Sequence, residues 1–201
     1  MIRKLYLSPF GYIISGVLHI IAWFHKPFMS YGYFNRPTRT FQKYTRVSSS
    51  AKLIHKRGID LGNHVWIGHY CLLDGTGSVS IGEGVQISSH TAIYSHSSQD
   101  AIRMLGKDFI KVPAIQRPGY KLKPVKIGAY TFVGTSSVIL PGTTIGKGCL
   151  IGAGSLLRGN IPDYAIAVGN PVEIIGDTRE RDKNRFSDIM DKEKYYDPEA
   201  I

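Results

Sequence analysis

Acidic residues are missing from the first 59 positions: no Asp or Glu precedes Asp60, while ten Lys and Arg fall in that stretch. The chain as a whole carries 25 Lys+Arg against 15 Asp+Glu, a formal net charge of +10, and from Asp60 onward the two signs balance at 15 each. The positive charge therefore belongs to one segment, and a whole-chain argument for binding polyanions does not follow from it. Cysteine is scarce too. Two residues, Cys71 and Cys149, exclude a disulfide-rich scaffold and give no secretory signature. With 20% charged and 43% hydrophobic residues, the chain is neither disordered nor a polytopic membrane protein. At 201 residues it has room for one main domain with appendages.

The basic segment is also the most apolar. Leu5 to Phe24 runs 20 residues without a formal charge. Ser8-Pro9 reads as an N-cap followed by proline at the first helical position. Ser15, His19, Ala22 and Lys26 fall on one weakly polar stripe, and Ile13, Ile14, Val17, Leu18, Ile21 and Phe24 cover the other faces. Pro9, Gly11, Ser15, Gly16 and His19 make the run marginal as a transmembrane span. Trp23-Phe24-His25-Lys26 is no signal-peptide cleavage site. Two alternatives stay open: an amphipathic helix lying in a membrane interface, or a helix packed on protein. Residues 1–46 are thus expected as an N-terminal apolar and basic extension, an amphipathic helix plus a loop. Tyr31, Tyr33, Phe34, Arg36, Arg39, Phe41, Lys43, Tyr44 and Arg46 interleave aromatics with cations, a stripe that suits sugar rings or lipid phosphates. No motif supports nucleic acid, which is not expected as a partner.

Beyond Val47 the pattern changes. Aliphatic residues recur every six positions at Leu61, Ile67 and Leu73, at Ile81, Ile87 and Ile93, and again from Ile127 through Val133, Ile139, Ile145, Ile151 and Leu157. Glycine follows the aliphatic residue at Gly62, Gly68, Gly82, Gly128, Gly134, Gly146 and Gly152, and a small or modest side chain such as Val65, Cys71, Thr91, Thr131, Ser137 or Cys149 stands four places after it. A period of six is neither helical nor the alternation of a simple strand pair. It is the spacing of short strands coiling as a prism, with the aliphatic knobs inside and glycine at the corners. Two eight-residue steps, Leu53 to Leu61 and Leu73 to Ile81, widen the same corner on successive coils, at His55–Gly58 and Gly75–Ser78. The register breaks between Ile93 and Ile127, where Asp100, Arg103, Lys107, Asp108, Lys111, Arg117 and Lys123 would not fit an interior. Residues 47–176 are read as the prism, with a loop extruded at about 97–124, the length at which loops are usually functional or disordered. Residues 177–201 read as a charged tail, a short solvated or subunit-capping helix that then frays.

This periodic region resembles the hexapeptide-repeat acyltransferases. The resemblance covers roughly Val47 to Ile175 and includes Ile145-Gly146-Lys147-Gly148-Cys149-Leu150-Ile151-Gly152-Ala153-Gly154-Ser155, then Ile161-Pro162 and Ala167-Val168-Gly169-Asn170-Pro171. That ending looks like the maltose, galactoside and nodulation-factor O-acetyltransferases. Ile81-Gly82-Glu83-Gly84-Val85-Gln86-Ile87-Ser88, leading to Ile93-Tyr94-Ser95-His96, looks closer to the O-antigen and capsule O-acetyltransferase branch. What the resemblance implies is an all-β fold, a left-handed parallel β-helix with an N-terminal helical and aromatic extension and a short C-terminal helix or tail. It further implies a homotrimer and acetyl-CoA as co-substrate.

The resemblance assigns the catalytic histidine to His96, which ends the sixfold register where the long loop departs. A sugar hydroxyl attacking a thioester must lose its proton, and an imidazole of ordinary pKa about 6.5 is mostly neutral near pH 7 and competent to take it. Asp74 on the preceding coil and Asp100 four residues later are alternative partners that orient the ring or bind the acceptor, with Tyr94 and Tyr120 as further candidates. Many relatives carry a second histidine where this chain has Ser98, and a loop glutamate where it has Gly119-Tyr120. The acetyl-CoA groove carried over from the family comprises Phe132, Gly134, Thr135, Ala153 and Gly154, with amides near Gly134 serving the oxyanion. Relatives place a basic residue for the nucleotide phosphates where this chain has Glu173; Arg158, Arg179 and Arg181 are the alternative substitutes. His64, His69, His90 and His96 lack the convergent spacing of a zinc site, so no metal is expected. Cys71 and Cys149 occupy inward slots and read as core.

The sequence therefore reads as an acetyl-CoA-dependent O-acetyltransferase acting on a sugar hydroxyl of a surface polysaccharide or lipid-linked glycan precursor. It is expected in the cytoplasm, at the inner face of the membrane if residues 5–46 lie on lipid. A soluble acetyltransferase for a free sugar or an antibiotic, and a non-catalytic β-helix scaffold, remain as alternatives.

Overall fold

The computed structural model describes residues 8–200. Arg3, Lys4 and the first three residues of the uncharged run, Leu5 to Leu7, lie outside them. From Thr40 onward the chain winds as a three-faced prism of short parallel strands, as the six-residue period requires. The first face stacks Thr40–Ser48, Trp66–Ile67, Gln86–Ile87, Phe132–Val133, Leu150–Ile151 and Ala165–Val168. The second stacks Lys52–Ile54, Leu72–Asp74, Ala92–Tyr94, Val138–Ile139 and Leu156–Leu157, and the third Ile59–Leu61, Val79–Ile81, Val125–Ile127, Thr144–Ile145 and Asn160–Ile161.

The periodic aliphatic residues all point inward. Leu61, Ile67, Leu73, Ile87, Ile93, Val133, Ile139, Ile151 and Leu157 are fully buried in one cluster with Val65, Val85, Cys71 and Cys149. The polar fourth-slot residues are buried with their hydroxyls used. Thr131 donates to the Gly146 carbonyl at 2.8 Å, Ser155 to the Gly152 carbonyl at 2.7 Å, and Thr143 to the Leu140 carbonyl at 2.7 Å. Glycine after the aliphatic residue is a matter of clearance between coils. A Cβ on Gly128 would sit 2.4 Å from the amide nitrogen of Lys147, and one on Gly62 2.6 Å from that of Glu83. Val47 pairs with Ile67, and Ile67 with Ile87, so these coils are 20 residues long; Val133 pairs with Ile151, a coil of 18. The two extra residues are those of the widened corner.

Both ends of the first face are capped by antiparallel strands, which become the outer strands of its sheet in place of the coils. At the carboxyl end Glu173–Asp177 folds back on Ala165–Val168. At the amino end Met29–Asn35 pairs with Thr40–Ser48. The expected loop before Val47 is therefore a β-hairpin. Its cross-strand pairs, the aromatic Phe34 opposite Phe41 and the cation Arg46 opposite Tyr31, favour strand over loop. The helix Pro9–Phe24 precedes it with Ser8 at the N-cap and proline at the first turn. Phe10, Tyr12, Ile13, Ile20, Trp23 and Phe24 are all more than three-fifths exposed. At 16 residues it is about 24 Å long. Among the described residues no helix is long and apolar enough to cross a membrane.

The tail departs from expectation. Thr178–Phe186 is a helix, but the chain after it does not fray. Asp197 accepts hydrogen bonds from Tyr164 and from Lys147, the latter at 2.7 Å, and Tyr196 lies over Gly148, where any Cβ would meet its hydroxyl. The extruded segment is likewise ordered: a short helix Ala101–Leu105, 3-10 turns, and a strand Lys121–Leu122 that returns antiparallel to His96–Ser97.

Candidate active site

Asp74 closes its strand on the second face and stands in register with Tyr94 one coil later, which puts the edge between the second and third faces two residues on, at Ser95-His96. Ser95 is buried, and its hydroxyl donates to the Asp74 carbonyl while accepting from the Gly77 amide at 2.7 Å. That pair of bonds fixes the two turns against each other. The Asp74 carboxylate then meets His96: Oδ2 accepts from Nδ1 of the ring. Oδ1 accepts from the hydroxyl of Thr76 and from the Thr76 amide at 3.1 Å, an Asx turn.

Asp74 is fully buried, whereas the His96 side chain is 35% exposed. Burial alone would push the Asp74 carboxyl up. The Thr76 hydroxyl, the His96 ring and the Thr76 amide outweigh it and hold the group below the ordinary carboxylate range. An ionised carboxylate can only accept, so Nδ1 of His96 carries a proton, and in the neutral ring Nε2 is the nitrogen with the lone pair. That is the tautomer a general base needs. Both ends of the extruded segment are clamped here. His96 pairs with Leu122, the Lys123 amide donates to the Ser95 carbonyl at 3.0 Å, and the Tyr120 ring lies with its centroid 5.8 Å from that of His96.

The remaining candidates divide. Asp100 does not orient His96: its carboxylate pairs with Lys121 at 2.6 Å and with Arg103, because the returning strand brings Lys121 alongside it. Tyr94 is more than one-third exposed on the outer side of the second face. Phe132, Gly134, Thr135, Ala153 and Gly154 lie on the first face and on its edge with the second, so one face of the prism separates them from His96 within a single chain. The Gly134 amide is not a free oxyanion donor; it donates to the Ile151 carbonyl at 2.9 Å as part of the coil ladder. Arg158 is on the His96 edge, in a cleft of about 240 Å³ lined also by Ser97, Gln99, Lys121, Lys123, Leu140 and Pro141.

The other histidines are occupied separately. His64 stacks on Tyr44 and His90 on Tyr70, with ring centroids 4.8 and 5.2 Å apart, and His69 shares a hydrogen bond with Ser48. Among the described residues no three His, Cys, Asp or Glu side chains gather as a metal site. Cys71 and Cys149 are buried, and burial pushes both thiols up, away from thiolate chemistry.

Sequence reasoning passed over Thr76, although Asp74-Gly75-Thr76 is a legible Asx-turn sequence. It also passed over His55, whose Nδ1 lies 2.8 Å from the Thr76 hydroxyl, and Lys121, whose role depends on a strand pairing that no local pattern announces.

Residues 124–159 match the family described as bacterial transferase hexapeptide (six repeats). A Mycobacterium tuberculosis protein provisionally named an acetyltransferase is 32% identical over 123 residues, 60% of this chain and 38% of its own length. An Escherichia coli K12 protein provisionally named lipopolysaccharide biosynthesis O-acetyl transferase WbbJ is 30% identical over 117 residues, 58% of this chain and 59% of its own. The chain thus spans less than two-thirds of either relative. A maltose O-acetyltransferase of Clostridium difficile superposes with a TM-score of 0.51 at 26% identity, over 64% of each chain. A galactoside acetyltransferase solved with coenzyme A does so at 0.55 and 24%, over 66% of this chain and 62% of that one. The prism is therefore a left-handed parallel β-helix of the hexapeptide-repeat kind.

Proposed function

We propose that this chain, whose coils carry the hexapeptide repeat of the bacterial transferases, moves acetyl from acetyl-CoA to a hydroxyl on a sugar of a surface polysaccharide or lipid-linked glycan precursor. The observation that carries the reading is the Asp74–His96 pair, a buried carboxylate holding a partly exposed imidazole in the tautomer of a base. The provisional name of the Escherichia coli relative supports the acceptor class.

Acetyl-CoA supplies an acyl group already activated as a thioester. Nε2 of His96 takes the proton of the acceptor hydroxyl as its oxygen attacks the thioester carbonyl, and Asp74 stabilises the imidazolium that forms. His96 then returns the proton to the departing sulfur, so no covalent enzyme intermediate is needed. Arg158, Lys121 and Lys123 give the nucleotide phosphates a positive wall beside His96. The apolar groove residues lie one face away, so the complete site is assembled between copies in a homotrimer, the His96 edge of one chain against the Phe132–Gly154 edge of the next.

The amino-terminal helix, largely apolar and exposed apart from the Ser15–His19 stripe, continues into a hairpin bearing Arg36, Arg39, Lys43 and Arg46. Together they suit an anionic membrane surface, which would hold the enzyme at the inner face where lipid-linked glycans are built. The test is acetyl transfer from acetyl-CoA to glycan acceptors by wild type and His96→Ala. Loss of turnover with retained fold is expected; undiminished transfer by the variant refutes the mechanism, and wild type that acetylates no glycan refutes the acceptor class.

A further inference from the structure

The transfer chemistry makes no use of the widened corner, although two successive coils spend extra residues on it. In the structure the two turns nest. A Cβ on Gly58 would lie 2.0 Å from the Gly75 carbonyl oxygen, and one on Gly75 2.7 Å from that of His55. Lys56–Gly58 is consequently a rigid 3-10 turn, and His55 is held by the Thr76 hydroxyl. The tip of the amino-terminal hairpin is fixed above it. Asn35 is 1% exposed, donates to the Leu61 carbonyl at 2.8 Å and accepts from the Leu61 amide at 2.9 Å. Between the two lies a cleft of about 560 Å³ lined by Arg36, His55, Lys56, Arg57, Gly58, Gly75 and Thr76.

Among the described residues no carboxylate lines this cleft. Asp74, just behind it, is spoken for by Thr76 and His96. Three exposed cations on two anchored elements therefore line one cleft with no ion pair to a carboxylate among the described residues, an arrangement that an anion would relieve. Thr76 is the shared wall: one side of its hydroxyl meets His55 in the cleft, the other meets the Asp74 that orients His96. The second basic cleft, that of Lys121, Lys123 and Arg158, flanks His96 from the following coils. Two positive clefts on one edge, either side of one base, fit two anionic co-substrates.

We propose that the Arg36–Lys56–Arg57 cleft is the acceptor's anion subsite, binding a diphosphate that the acceptor carries and so setting its sugar hydroxyl at His96. The inference rests on His96 being the base of the transfer. Arginine forks and a lysine suit the several oxygens of a diphosphate better than a single carboxylate. A diphosphate joins sugars both to nucleosides and to isoprenoid lipids, so the cleft fixes the chemistry and the experiment separates the sources.

Inorganic pyrophosphate, UDP-glucose and farnesyl diphosphate are titrated calorimetrically into the full chain at low and high salt. Wild type is expected to bind pyrophosphate with salt-sensitive affinity, and Lys56→Ala/Arg57→Ala to weaken it by about tenfold or more. Arg36→Glu, on the other element, is expected to do the same, while Lys183→Ala, an exposed charge on the helix Thr178–Phe186, leaves it unchanged. Tighter binding of UDP-glucose or of farnesyl diphosphate than of pyrophosphate names the source. The proposal is overturned if wild type ignores pyrophosphate at low salt, if the double variant binds it as wild type does, or if that variant loses coenzyme A instead. Binding is read without turnover, so failure of acetyl transfer would sink the transferase reading and leave this result standing.

Discussion

The Asp74 carboxylate accepts a hydrogen bond from Nδ1–H of His96 across the step from one coil to the next, at a separation of 22 residues in the chain. The bond exists because Leu72–Asp74 and Ala92–Tyr94 are in parallel register and because Ser95 ties the turn after one strand to the turn after the other. Asp74→Asn keeps the shape and alters the hydrogen bonding. An amide that donates towards Nδ1 favours the opposite tautomer, with the Nε2 lone pair lost. A fall in kcat of about 10²- to 10⁴-fold is expected, with KM for acetyl-CoA little changed. Steady-state kinetics with both substrates varied checks it; a change confined to KM would contradict the assignment.

The same carboxylate makes an acid-sensitive contribution to stability. Its folded pKa is depressed, so the contribution is fully present above the ordinary carboxylate value of about 3.9 and is lost as pH falls through the lower folded value. Wild type and Asp74→Asn should therefore differ most in denaturant midpoint near neutrality and converge as the medium is acidified below about pH 3.9. A gap that stays constant down to the acid limit would show that the bonds from Thr76 and His96 do not favour the charged form.

Clearance between coils predicts the response of glycines. Gly128→Ala forces a Cβ to within 2.4 Å of the Lys147 amide nitrogen, a backbone atom that cannot swing aside. A loss of about 2 kcal/mol or more is expected, read as a lowered thermal midpoint. Gly16, inside the amino-terminal helix, has nothing within 4 Å, and Gly16→Ala should be neutral or favour the helix by about 0.5–1 kcal/mol. Equal destabilisation at both sites would mean that coil packing is not what selects glycine.

What the sequence disclosed follows the range of each interaction. The prism was legible because one residue type recurs at one spacing, and Ile67, Ile87 and Ile151 each repeat the same local environment. His96 was legible as the residue at which that register ends. The hairpin over 29–48 was obscured by its neighbours: aromatic and basic residues with Gly32 and Pro37 among them resemble a loop until Phe34 is seen opposite Phe41. The choice between Asp74 and Asp100 stayed open for a similar reason. Asp100 is closer in sequence, but the returning strand delivers Lys121 to it, and only the coil register brings Asp74 beneath His96. The ordered carboxyl end was hidden because Gly148 admits Tyr196 from 48 residues away.

The separation of His96 from the expected acetyl-CoA groove gives a test of assembly. His96 is on the edge between the second and third faces, and Ala153 is exposed on the edge between the first and second. If each site takes its base from one chain and its groove from the next, His96→Ala and Ala153→Trp damage different halves of it. Homotrimers of either variant are expected to be inactive. Trimers refolded from an equal mixture contain interfaces at which an intact His96 faces an intact groove, since the Ala153→Trp chain supplies the first and the His96→Ala chain the second. Random assembly makes about a quarter of the interfaces of that kind, so about a quarter of wild-type activity should return. Mixing that restores nothing, while each variant assembles normally by sedimentation, would place base and groove in the same chain and remove the case for a shared site.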